Sequence, residues 1–146
     1  MSYRTSIFPD SRPDEFHTKA WATCCFVRSD DKFLFLRKTR TWPGLWTCPG
    51  GKIDKNETPV TGAIRELYEE TGIVASEAQC AEKAHLYIRS KWGEYELHCF
   101  EITPDEMPPV RLSSEHDQFQ WLSFSEAMML SMIPAQKEVF SHCLER

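Results

Sequence analysis

The sequence predicts a single α/β domain of the α+β kind, with helices sandwiching a mixed β-sheet. Three observations predict it. Two β-type runs around a short polar turn come first, one long helical pattern interrupts the strands, and further strands then lead into two more helical patterns. A chain of 146 residues, of which 41% are hydrophobic, buries about 70% of its unfolded surface, enough for one core. The domain is therefore expected to span 1–146.

Residues 1–16 read as an N-terminal arm or an edge strand, because Pro9 and Pro13 interrupt any longer regular element. Residues 17–28 read as a strand, 29–32 (SDDK) as a polar turn and 33–38 (FLFLRK) as the returning strand of a hairpin. A long loop over 39–58 holds three of the six glycines, and loops of that length inside compact domains are usually functional. The next helix is predicted over 59–71. Thr58 is its N-cap, Pro59 suits the first helical position, Val60, Ile64 and Leu67 form a buried stripe, and Gly72 ends it. Residues 80–89 and 94–102 read as strands, 103–117 as a loop, and 119–123 as a short strand. Helices over 123–132 and 134–145 close the chain, the second opened by Pro134 and burying Val139, Phe140, Cys143 and Leu144.

Composition narrows the function. A net charge of −5 argues against a sequence-independent grip on nucleic acid polymers, which needs a basic face. No apolar run approaches the eighteen or so residues of a membrane span, and the N-terminus carries no secretory leader pattern, so no membrane partner and a cytoplasmic location are expected. Cytoplasmic thiols stay reduced, so the six cysteines are read as unpaired. His85, His98, His116 and His142 are isolated in sequence and read as structural.

The stretch RELYEETGI, from Arg65 to Ile73, raises a physical problem. Glu66, Glu69 and Glu70 fall on one stripe of the predicted helix, beside the apolar stripe, and like charges at this spacing repel. Arg65 offsets only a few tenths of a kcal/mol of that. A divalent cation offsets far more, and Mg²⁺ in particular takes one or two protein carboxylates while keeping positions for water and substrate phosphates. An acidic run is ordinarily a solvated face. Here Glu57 stands just before the helix, and Gly50 and Gly51 precede it where backbone can approach a ligand closely.

Residues 51–73, GKIDKNETPVTGAIRELYEETGI, resemble the Nudix box: Gly51, Glu57, Arg65, Glu66, Leu67, Glu69, Glu70, Gly72 and Ile73 meet its fixed positions. A looser likeness runs from about residue 18 to 124. The resemblance implies a Nudix-type α/β/α sandwich and Mg²⁺- or Mn²⁺-dependent hydrolysis of a nucleoside diphosphate linked to another group. By position, Glu66, Glu69 and Glu70 become metal ligands with the Gly50 carbonyl, Arg65 orients a glutamate, and Glu57 is the accessory acid of the metal site. Glu115 matches a further family carboxylate, as metal ligand or base, and Glu66 is preferred as base ahead of it.

Ahead of the box, Arg37, Lys38 and Arg40 alternate with Trp42 and Trp46. Arg37, Arg40 and Trp42 are candidates for phosphate attraction and base stacking, against a reading as solvated cations and a packing ring. Trp46 and Trp121 read as core. Tyr87 and Trp92 are candidates for the base pocket. The expected substrate is a small nucleotide, preferentially a nucleoside triphosphate in the manner of MutT, with dinucleoside polyphosphates or nucleotide sugars as alternatives. Readings from other classes are an isopentenyl diphosphate isomerase and a non-catalytic nucleotide sensor. The arm leaves room for strand exchange between two copies, a homodimer.

Overall fold

The computed structural model describes residues 5–9 and 11–144. Eight strands form one mixed sheet: β1 (Ser6–Phe8), β2 (Ala20–Ser29), β3 (Lys32–Lys38), β4 (Trp46–Thr47), β5 (Gly50–Lys52), β6 (Cys80–Ser90), β7 (Gly93–Ile102) and β8 (His116–Leu122). The helices are α1 (Pro59–Thr71), α2 (Phe124–Ala127) and α3 (Gln136–Leu144). The main path runs β1-β6-β7-β2-β3-β4, with β5 added to β2 and β8 to β3. Only the β2–β7 pairing among these is parallel, so the sheet is mixed.

Strand β3 explains the sandwich. Its FLFL run is buried on both faces, with Phe33 and Phe35 in one core and Leu34 and Leu36 in the other. The first core packs against α3, where Phe140 meets Phe26, Phe33 and Phe35 edge-on at ring distances of 5.6, 5.2 and 5.3 Å. The second packs Cys25, Val27, Phe100 and Ile102 against Ala63 and Leu67 of α1, with Val60, Ile64 and Trp121 at its edge. Trp46 is buried in the first core.

Helix α1 follows its sequence signals. The Thr58 hydroxyl caps the Thr61 N–H, Pro59 opens the helix, and Gly72 ends it in the left-handed conformation at φ 75° with its N–H on the Tyr68 carbonyl. The arm does contribute an edge strand, β1, whose Ser6, Ile7 and Phe8 pair with Arg89, Ile88 and Tyr87. Positions 1–4 and 10 of the arm, and residue 145 of the last predicted helix, lie outside the described residues.

Several elements differ from the sequence reading. The helix expected over 123–132 is a single turn, because Met132 bridges to Trp46 and the Trp46 N–H bonds the Ser131 carbonyl. The last helix begins at Gln136, not Pro134. Ile133 donates to the Trp46 carbonyl and Ala135 adopts φ 72°, which no helix tolerates. The short strands β4 and β5 lie in the segment read as loop, and β8 starts three residues earlier than expected, extended by pairing along β3.

Candidate active site

Two devices bring the acidic residues together. The first is Arg65. Its guanidinium grips Glu57 with two bonds, Nε to Oε2 at 2.7 Å and Nη2 to Oε1 at 3.0 Å, and donates to the Lys52 carbonyl at 3.0 Å. Nη1 donates to Glu66 Oε1 at 3.0 Å and reaches Glu69 at 3.2 and 3.3 Å. Planar, five-donor and always charged, arginine alone can hold three carboxylates and a carbonyl at once. The Glu57 carboxyl is thereby lowered from its ordinary value, first by Arg65 and then by the Asp54 N–H. Both its oxygens are engaged, so it positions the arginine and tethers the loop to α1.

The second device is the loop between β7 and β8. The Arg111 N–H bonds the Thr71 carbonyl at 2.8 Å, Ser113 reaches the Glu70 carbonyl at 3.4 Å, and the Thr39 N–H bonds the Glu115 carbonyl at 3.0 Å. The first two bonds dock the loop on the C-terminal end of α1, and the third ties it to the end of β3. As a result donor atoms of Glu70, Glu115 and His116 lie within 4.8 Å of one another.

Glu70 is 7% exposed, and its Oε1 accepts from the Gly50 N–H at 2.9 Å. Burial, assisted by Glu66 and Glu115 and opposed by the Gly50 N–H and by Lys38, pushes its carboxyl up to about 8. Glu66 is also raised, by burial first, against the pull of Arg65. Gly51 makes room for it: a Cβ there would stand 2.5 Å from the Glu66 carboxyl carbon. Glu69 is the more exposed member of the trio and turns toward Arg65.

The buried Glu70 carboxyl, pushed up in part by the neighbouring Glu66 and Glu115, forms with them a hard oxygen donor set that fits a divalent cation. His116 adds a buried Nδ1 without a hydrogen-bond partner among the described residues. It is held neutral by burial and by Lys38. Sequence isolation concealed this histidine's placement beside Glu70 and Glu115.

A cavity of about 200 Å³ opens beside the carboxylates, lined by Glu70, Lys38, His116, Tyr95 and Gln136 among others. Gln136 fixes its floor, accepting from the Thr47 hydroxyl at 3.0 Å and the Cys48 N–H at 3.2 Å. A second cavity of about 360 Å³ shares Tyr95, Ile133 and Pro134 with the first and adds Trp42 and Trp92, whose rings meet edge-on at 5.1 Å. The two tryptophans are thus brought together at the cavity. Arg40 lies at the surface near the Glu115 loop, 3.4 Å from the Ser114 hydroxyl.

Two candidates fall elsewhere. Arg37 is tied to Asp117 by two 2.8 Å bonds. A bulge between Arg37 and Lys38 breaks the alternation, and Lys38 lines the cavity instead. Tyr87 is packed between the His85 ring and the edge of Phe16, and its neighbours Leu86 and Ile88 point into the α3-side core, so it faces away from both cavities. Tyr95 and Gln136 went unread in the sequence. Their signal is parity along β7 and the break at Pro134, visible only once the strand pairing is known.

Comparison with known proteins agrees with this geometry. A family model described as the NUDIX domain matches residues 18–143, which extends into α3 and beyond the likeness read from sequence. Phosphatase NudJ of Escherichia coli (strain K12) is 32% identical over 108 residues, 73% of this chain and 70% of its own length. The crystal structure of a MutT protein from Bacillus halodurans is 28% identical with a TM-score of 0.69, covering 87% of this chain and 83% of that one. The NUDIX domain of Shewanella oneidensis NrtR, complexed with ADP ribose, shares the fold at 17% identity and a TM-score of 0.71, with 91% of each chain covered. The chain belongs to the Nudix family, hydrolases of pyrophosphate bonds.

Proposed function

We propose that the protein is a Mg²⁺-dependent, cytoplasmic pyrophosphohydrolase, with Mn²⁺ as substitute, that cleaves the diphosphate linkage of a nucleoside triphosphate or related nucleoside diphosphate derivative. The observation that carries this reading is the convergence of Glu115 on Glu70, which lines a cavity that also holds a cation, Lys38. Glu66, Glu69, Glu70 and Glu115, with the Gly50 carbonyl, hold the metal. When bound, a divalent cation supplies charge neutralisation of the diphosphate oxygens and acidifies water.

The chain's own residues do the rest. Lys38 and Arg40 attract the phosphates, and Trp42, with Trp92 against it, supplies an aromatic wall for the base. Arg65 keeps Glu66 and Glu69 oriented. Glu66 accepts the proton of the attacking water, with Glu115 as the second choice; positioning and charge stabilisation dominate such reactions. The unpaired thiols suit a reducing compartment.

The test is incubation with Mg²⁺ and a nucleotide panel that includes nucleoside triphosphates, ADP-ribose and dinucleoside polyphosphates, reading phosphate and pyrophosphate. Release that disappears in Glu70→Gln supports the proposal. Isomerisation of isopentenyl diphosphate, or tight nucleotide binding without turnover, overturns it.

A further inference from the structure

On the α1 side of the sheet, β6 and β7 bring together two histidines and a glutamate that the hydrolytic site does not use. His85 and His98 are directly opposite in the antiparallel register, and Glu96 lies two residues before His98 on the same face of β7. The imidazoles stack at 4.1 Å, and His85 Nε2 is 2.7 Å from Glu96 Oε1. One donor atom from each of the three lies within 4.8 Å of the others.

We propose that His85, Glu96 and His98 form a second metal site, selective for zinc-type ions over Mg²⁺. Two imidazole nitrogens and one carboxylate oxygen are a borderline-soft donor set that Zn²⁺ takes readily, whereas Mg²⁺ prefers oxygen alone. The supporting groups are those that ligating residues need. The Thr18 hydroxyl donates to the second Glu96 oxygen at 2.6 Å and fixes the carboxylate, and Glu82 Oε1 stands 3.5 Å from His98 Nδ1. Glu96 and His98 are mostly buried and His85 about one-third exposed, so the donors are restrained yet reachable. His98 also lines a cavity of about 470 Å³ with Trp21, Ile53, Glu57 and Pro59, which leaves a fourth position open to water or a small ligand. Bound zinc replaces the His85–Glu96 hydrogen bond and cross-links β6, β7 and, through Thr18, the start of β2.

The test is equilibrium dialysis of the full chain against Zn²⁺ with Mg²⁺ in large excess, so that the oxygen site is saturated. One zinc equivalent is expected in the parent and in Glu70→Gln. In His85→Gln and in His98→Gln the affinity falls at least about 100-fold, more than the 10- to 100-fold that loss of a supporting group such as Thr18 brings. Zinc also raises the Tm of the parent and not of the histidine variants, whose zinc-free melting reports that they are folded. Equal zinc binding in parent and histidine variants, or a parent that takes up no zinc beside Mg²⁺, overturns the assignment.

Discussion

Glu70 holds a charge that the fold by itself disfavours. An acid whose folded pKa lies above its unfolded value favours folding while it is protonated. That contribution is present below about pH 4.5 and is lost as pH rises toward about 8. In metal-free protein, Glu70→Gln removes this loss and keeps an acceptor for the Gly50 N–H. The variant is therefore expected to melt above the parent at pH 9, by at most about 5 kcal/mol on about 1.4 kcal/mol per pH unit, and to match it near pH 4. Denaturant unfolding in chelator at both pH values measures this, and a parent equal to the variant at pH 9 contradicts it. In Mg²⁺ the same variant loses turnover by about 10²- to 10⁴-fold, because charge stabilisation at the diphosphate is weakened. Arg65→Lys tests the clamp: lysine keeps the charge but not the forked grip on Glu57, and kcat should fall about 10- to 100-fold with a weaker Mg²⁺ dependence curve.

Between β5 and α1 the packing is tight enough that one methyl group matters. Gly51→Ala places its Cβ against the end of the Glu66 side chain, which can swing away, so the fold should survive while turnover falls. Near-parental melting with kcat reduced more than about tenfold is the expected pair of results, and unchanged kcat would show that Glu66 needs no fixed position. The elements around this contact were unevenly legible. Helix α1 has the bounds its sequence gives because Thr58, Pro59 and Gly72 are local signals that need no partner. Strands β4 and β5, two and three residues long, exist only through pairing with β3 and β2, so nothing local announces them. The end of the chain was misread for the same reason: bonds from Trp46 to Ser131 and Ile133 override helix propensity there. At the site, helical spacing put Glu66, Glu69 and Glu70 on one stripe, whereas Glu115, which the structure places beside Glu70, was singled out only through the family resemblance. Tyr95 and Gln136 were not readable, since which face of β7 meets the cavity, and where α3 begins, depend on long-range register.

Across the whole molecule, metal binding should act as a tie between parts distant in sequence. Glu66 and Glu70 belong to α1, Glu115 to the loop before β8, and Gly50 to β5, so a cation held by all four joins segments that unfolding separates. A ligand that binds only the folded state adds RT ln(1 + [L]/Kd), about 2.7 kcal/mol at a hundredfold excess over Kd. For a chain of this size that is a rise in Tm of about 5 to 10 °C. Protons compete for the same oxygens. The Mg²⁺-induced rise should therefore be full at pH 8.5, where Glu70 is largely ionised, and small at pH 5, where its raised pKa keeps it protonated. Calorimetric scans with Mg²⁺ and with chelator, at both pH values, measure the difference. The shift should vanish in Glu70→Gln and persist in His98→Gln, whose imidazole belongs to the other cluster. A shift of equal size at both pH values, or one that survives in Glu70→Gln, would mean that the ion is held without the buried carboxylate.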